Sequence, residues 1–196
     1  MVFARKFSGL IWTPVFYVSC ITRGVAIGRG VKCYGRVIVR RSPGSVIKIG
    51  NNVTFMSDPI LCTSGSVHSA CVLKTYCKSA VVQIGSECGF NGASIVARSK
   101  KIKIGEGTMF APNCRIIDSD FHAQWPPENR LTNPDFQSDK DVFIGSNVWL
   151  GTDVLVMRGV EIGDNSVVGA RSVVTGNIPS NSLALGAPAK TIRKYV

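Results

Sequence analysis

Acidic residues are scarce in this chain: 12 Asp+Glu stand against 23 Lys+Arg, a formal net charge of +11 over 196 residues. Such a surface attracts phosphates, nucleic acid or an anionic membrane, and charge alone does not choose among them. Histidine is scarcer still. His68 and His122 are the only two, too few and too far apart for a metal centre built on three histidines or a site of zinc type. The seven cysteines, at 20, 33, 62, 71, 77, 88 and 114, are odd in number and form no C-x-x-C pair, which reads as reduced thiols in a cytosolic protein. A Walker loop, a dinucleotide fingerprint and a metal-ligand cluster are all missing, so the sequence calls for no metal. Stacking aromatics are not interleaved with the basic residues, which argues against nucleic acid as a partner. With 45% apolar and 18% charged residues the chain is too hydrophobic for disorder, and 20 Gly and 9 Pro punctuate it too often for long helices. Its length suits one domain with a sizeable core.

The one sustained apolar run, from Gly9 to Cys20 behind Arg5 and Lys6, looks superficially like a short signal sequence. Thr13-Pro14 interrupts it, it falls short of the roughly 20 apolar residues that a spanning helix needs, and no A-x-A site follows. Residues 1–24 are therefore expected either to cover one end of a core or to make a peripheral membrane contact, Trp12, Phe16 and Tyr17 suiting a headgroup boundary. The corresponding location is the cytoplasm, with the inner face of the membrane as the variant.

What the chain does have is a repeat. [Val/Ile]-x-Ile-Gly occurs six times, ending at Gly28, Gly50, Gly85, Gly105, Gly145 and Gly163. Alternating apolar residues that end in Gly signal a strand and then a turn. Steps of six land on apolar residues: Ile84, Phe90, Val96, Ile102; Ile104, Phe110, Ile116; Ile144, Leu150, Val156, Ile162, Val168, Val174. Four residues further on, small or β-branched side chains recur, as at Cys88, Ser94, Thr108, Cys114, Val148, Ser166 and Ser172. No helical period generates this series; hexads of a parallel β-helix do, each side supplying one short strand and one corner. A single coil cannot bury its own apolar stack, so stability comes from neighbours. The expected organisation is an all-β chain, with residues 25–180 forming the β-helix, a long loop over 117–141 where the hexads stop, and a tail from 181 to 196. That loop holds three prolines, aromatic residues and His122, and unstructured excursions of this length inside a compact domain are usually functional.

From Ile84 to Val196 the residues resemble the hexapeptide-repeat acyltransferases, whose fold is a left-handed parallel β-helix, and particularly the galactoside and maltose O-acetyltransferases. The resemblance is carried by Ile144-Gly-Ser-Asn-Val-Trp-Leu-Gly, by the stretch from Gly159 to Thr175 and by Leu185-Gly-Ala-Pro-Ala-Lys-Thr-Ile-Arg. It implies acetyl-CoA as acyl donor, a homotrimer with sites between adjacent β-helices, and His122, in Asp118-Ser-Asp-Phe-His, as catalytic base. The Asp-Ser-Asp-Phe-His region is also similar to capsule and O-antigen acetyltransferases, which implies a sugar hydroxyl as acceptor in surface-polysaccharide assembly. An N-acetyltransferase of an amino sugar or antibiotic, and a non-catalytic assembly module, are the alternatives.

Each implied site residue has an ordinary structural reading beside it. A hydroxyl needs a base to attack a thioester, and imidazole titrates near neutrality. Asp118 or Asp120 would orient His122 or meet the acceptor, or else form a turn. Asn91 would donate to a developing oxyanion, or sit in a left-handed corner. By resemblance Trp149 borders the donor channel from outside the coil, and Gly151, Thr152, Gly169, Ala170 and Thr175 present backbone to a pantetheine arm, although Gly and Ala also suit corners. Lys190 and Arg193 would meet the donor's phosphates, or form a solvated basic tail. His68 reads as a surface residue, and Cys88 and Cys114 as packed hydrophobes.

Overall fold

The structure, a computed structural model, describes residues 2–195. After an N-terminal helix, α1 (Val2–Thr22), the chain winds through three parallel sheets as a left-handed β-helix. The first face holds Ala26–Ile27, Val46–Ile49, Val81–Ile84, Lys101–Ile104, Val142–Ile144 and Glu161–Ile162, stacked in that order. Each of these strands ends on one of the six [Val/Ile]-x-Ile-Gly motifs, so the repeat marks one face once per coil. The second face runs from Lys32–Tyr34 to Val167–Val168, and the third from Ile38–Arg40 to Val173–Val174.

Two columns at the corner between the first and second faces explain the motif. The glycines that close it stack so tightly that a Cβ on Gly50 would stand 2.6 Å from the Gly85 backbone, and one on Gly105 2.5 Å from that of Gly145. Two residues later the chain turns through left-handed backbone at Gly30, Asn52, Glu87, Gly107, Asn147 and Asn165. Asn tolerates this region, and its side chain supports the next coil: Asn147 Nδ2 donates to Asn165 Oδ1 at 3.2 Å and Asn165 Nδ2 to Asn181 Oδ1 at 3.0 Å. Glu87 is the misfit, exposed at φ 59°. Glu87→Asn relieves a left-handed penalty of about 1 kcal/mol and is expected to raise the melting temperature by about 2–4 °C, read by circular dichroism. An unchanged or lower melting point would show that the 2.5 Å bond from Asn52 Nδ2 to Glu87 Oε1 outweighs the strain.

Inside the coil the hexad aliphatics are buried, and Phe55, Phe90 and Phe110 stack at centroid spacings of 5.2 and 4.6 Å. One hexad expectation fails. Val96 points outward, and Ile95 and Ala97 take the interior, because the left-handed Gly92 tightens its corner by a residue and a one-residue slip reverses the faces of a strand. Ala93 replaces Ser94 as the small inward residue for the same reason.

α1 covers the open N-terminal end, with Phe16 edge-on to Phe55 at 5.3 Å. The first strand of the second face is an edge whose outward amides need partners. Three hydroxyls of α1 supply them: Tyr17 accepts from Val31 N, Thr13 from Cys33 N and Ser8 from Gly35 N. The helix runs through Pro14, which faces solvent. At the other end, residues expected as a tail continue the second face: Ser182–Gly186 pairs in parallel with Val167–Val168 and folds back antiparallel onto Ala189–Lys194.

Candidate active site

Two excursions leave the coil. Residues 57–71 project between the second and third faces, and residues 118–141 between the third and first. The base of the longer one is pinned at both ends. Asp118 is buried, and its carboxylate accepts from the backbone N–H groups of Arg98 (2.7 Å), Ser99 (3.0 Å) and Lys100 (2.8 Å). Asp139 closes the far end on the buried guanidinium of Arg98, with Nε to Oδ2 at 2.9 Å and Nη2 to Oδ1 at 2.5 Å, and also accepts from Ser99 Oγ. Arg98 further donates to the carbonyls of Pro134 and Asp135, and lies over the ring of Phe136 at 4.6 Å. Burial alone would push the Asp139 carboxyl up; hydrogen bonds from Arg98 and Ser99 outweigh it and hold the group below the usual carboxylate range. At Asp118 burial wins and pushes the carboxyl up, against the pull of three N–H donors.

His122 stands exposed on this anchored loop. Its Nδ1 is 2.6 Å from the carbonyl oxygen of Arg130. A carbonyl can only accept, so Nδ1 carries the hydrogen and Nε2 is the basic nitrogen. The preceding residue, Phe121, has left-handed backbone at φ 66°, held by a bond from its N–H to Ser119 Oγ at 2.8 Å. Strain of that kind at a bulky residue concentrates at functional positions.

Neither nearby aspartate orients the imidazole. Asp118 is committed to the three amides, and Asp120 pairs with Arg158 Nε at 2.9 Å and accepts from Gln124 Nε2 at 2.8 Å. The hydrogen-bond partner of the imidazole is instead the Arg130 carbonyl. Asp120 and Arg158 instead line a cleft of about 280 Å³ with Gln124, Lys140, Met157 and Thr175.

Asn91 lies on the outer side of the second face, and its backbone is not left-handed; Gly92 takes that conformation. One N–H of its amide holds the Phe110 carbonyl at 2.8 Å, which leaves the other available as a donor. Asn91 and His122 leave the coil at different corners, and no hydrogen bond joins them within one chain.

Of the residues expected to meet the donor, Trp149 is 51% exposed on the outer second face, in register between Met109 and Val167. Gly151 and Gly169 have packing reasons of their own: a Cβ on Gly151 would stand 2.5 Å from Ala170 N, and one on Gly169 would run into the Leu185 side chain. Thr152 is half-buried, Ala170 and Thr175 are exposed, and Lys190 and Arg193 are exposed on the terminal hairpin. Among the described residues no cluster of His, Cys, Asp and Glu could hold a metal.

His68 is a surface residue of the shorter excursion. Six of the seven cysteines are buried, and burial pushes the thiols of Cys20 and Cys114 up to about 12 and that of Cys88 up to about 11. Cys77 alone is partly exposed, so a thiol reagent at neutral pH is expected to label about one equivalent of native protein, at Cys77, and the rest only in denaturant. Rapid labelling at Cys88 or Cys114 would contradict the packing.

Sequence reasoning missed Arg98, Asp139 and Arg158. The available signal was Arg98 following two hexads without interruption, a charged residue where a corner otherwise holds small or polar ones.

The stacked hexads and the pinned loop define a left-handed β-helix of the hexapeptide type. Residues 141–176 match the family model described as bacterial transferase hexapeptide (six repeats), and the resemblance to hexapeptide-repeat acyltransferases holds in sequence and in fold. The chain is 45% identical over 93 residues to the galactoside O-acetyltransferase of Lactococcus lactis subsp. lactis (strain IL1403), covering 47% of this chain and 43% of that protein. It is 38% identical over 106 residues to WbbJ of Escherichia coli (strain K12), named for lipopolysaccharide biosynthesis O-acetyl transfer, covering 51% and 54%. A galactoside acetyltransferase solved in complex with coenzyme A superposes with a TM-score of 0.52 at 26% identity, over 85% of this chain and 64% of that one. The chain spans about half the length of the curated relatives it matches.

Proposed function

We propose that the protein transfers an acetyl group from acetyl-CoA directly to a sugar hydroxyl, with His122 as general base. The observation that carries this reading is the 2.6 Å contact of Nδ1 with the Arg130 carbonyl, which fixes the tautomer that leaves Nε2 basic on an exposed, anchored loop. When bound, the donor supplies an activated acyl carbonyl with a good leaving group. His122 takes the proton of the acceptor hydroxyl as its oxygen bonds to that carbonyl, and returns it to the sulfur as the C–S bond breaks. The Arg130 carbonyl, hydrogen-bonded to Nδ1–H, stabilises the imidazolium in between. The free N–H of Asn91 is the donor for the developing oxyanion.

Because Asn91 and His122 leave different corners, the reading places the complete site between copies in a homotrimer. The exposed apolar side chains on the loop, Trp125 at 79% and Leu131 at 92%, favour a loop that reaches a neighbour. Trp149, with Met109 above it, offers an apolar wall to the donor's arm, and Lys190 and Arg193 offer charge to its phosphates. The name of WbbJ favours a polysaccharide sugar as acceptor.

The test is release of free thiol from acetyl-CoA against a panel of sugars, nucleotide sugars and amines. Release that depends on a sugar hydroxyl is expected. Release driven only by amines would favour N-acylation, and failure to bind acetyl-CoA would favour an assembly module.

A further inference from the structure

Among the described residues the outer side of α1 has no partner. While Phe16 and Cys20 face the core, Phe7, Leu10, Ile11, Val15, Val18 and Ile21 form a stripe along the opposite side, with Leu10 at 75% and Ile21 at 70% exposure. These residues recur at three- and four-residue spacing over a 21-residue helix, so they make one continuous apolar strip. Strips of that size on a protein surface mark an interaction.

The charge around the strip says what kind. Residues 1–57 contain nine Lys and Arg and no Asp or Glu, whereas residues 58–196 contain 14 and 12. Nearly the whole excess of the chain is therefore gathered on α1 and the first two coils. Lys6 and Lys32 border a groove along one flank of the helix, beside Leu10 and Pro14. Arg23, Arg36 and Arg40 border the other flank, beside Val15. A second copy docked on this strip would bring two strongly cationic ends together without a counter-charge. Nucleic acid would satisfy the cations and leave the aliphatic strip unpartnered. An anionic bilayer satisfies both, through acyl chains for the strip and headgroup phosphates for the flanks. Among the described residues no helix is long and apolar enough to cross a membrane, which matches a helix lying in the interface.

We propose that α1 docks the β-helix end-on to an anionic membrane surface, its outer strip in the headgroup layer and its flanking cations on lipid phosphates. This rests on the helix and the charge distribution, and not on the proposed catalysis.

The test is co-sedimentation of the full chain with vesicles of phosphatidylcholine alone or with about 30 mol % phosphatidylglycerol. Binding to the anionic vesicles at least about tenfold tighter than to the neutral ones is expected, and weaker in high salt. Leu10→Ser with Val18→Ser, both on the exposed side, is expected to abolish binding with the thermal melt unchanged. Lys32→Gln with Arg40→Gln is expected to lower the anionic preference by roughly fivefold per cation. Absence of vesicle binding overturns the proposal. Equal binding to both vesicle types overturns the electrostatic half. A fall in solution mass on Leu10→Ser/Val18→Ser without vesicle binding would assign the strip to a second copy instead. Thiol release measured without vesicles keeps this outcome separate from the fate of the catalytic reading.

Discussion

His122→Ala is expected to lower acceptor-dependent release of CoA thiol by about 10²- to 10⁴-fold, the usual contribution of a positioned base. Acetyl-CoA binding, followed by calorimetry, is expected to stay near the wild-type value, because the imidazole is on the loop whereas, of the residues expected to meet the donor, Trp149 is on the second face and Lys190 and Arg193 are on the terminal hairpin. The two-corner arrangement adds a sharper form of the experiment. If His122 of one copy serves Asn91 of another, His122→Ala and Asn91→Ala proteins are each inactive alone. After co-refolding in equal amounts, about a quarter of the sites pair an intact His with an intact Asn. Recovery to that level supports the shared site. No recovery on mixing would confine each site to one chain, and unchanged release by His122→Ala would remove the residue from the mechanism.

The second large effect belongs to Arg98. Truncating it to Ala leaves the Asp139 carboxylate buried with only the hydroxyls of Ser99 and Ser119 as side-chain donors, and cutting one partner from a buried ion pair costs about 3–5 kcal/mol. The damage is local as well as global, since Arg98 also holds the carbonyls of Pro134 and Asp135. Hydrogen exchange should accelerate across 118–141 while the six strands of the first face remain protected, and acceptor-dependent kcat/KM should fall. Acid should mimic the substitution. With the folded Asp139 carboxyl below its ordinary range, its stabilising contribution is complete above that range, near pH 4. It is lost as pH falls through the lowered value. Loop exchange that stays slow in Arg98→Ala would show that Asp118 and its three amides hold the loop unaided.

The coil was legible because its physics is periodic. Each [Val/Ile]-x-Ile-Gly turned out to close one strand of the first face, and the phase from Ile144 to Val174 survives intact in the buried residues. The reading slipped at Val96, where a five-residue side is disguised by apolar residues on both parities, Ile95, Val96 and Ala97. The terminal hairpin was missed because Pro188 and the basic residues of Ala189–Lys194 read as a solvated tail, and the pairing with Ser182–Gly186 is antiparallel and outside the hexad period. At the candidate site the residue types were visible and their bonds were not. Asp118 and Asp120 both stand close to His122 in sequence, yet one is drawn to the backbone of the previous coil, 18 to 20 residues away, and the other to Arg158. A backbone carbonyl such as that of Arg130 leaves no mark in the sequence, so the partner of the imidazole was not readable there.

The hydroxyls of Ser8, Thr13 and Tyr17 on the first edge strand also set a limit on the assembly of the coil. A stack of parallel coils is a one-dimensional lattice: each exposed rung is a template for another of the same spacing, and nothing in a repeating sequence tells growth to stop. Those three side chains occupy the template with groups that present no further rung. Growth of the second face is thereby blocked at the end that α1 covers, and part of what limits the length of the rod is written in a helix that contains no repeat.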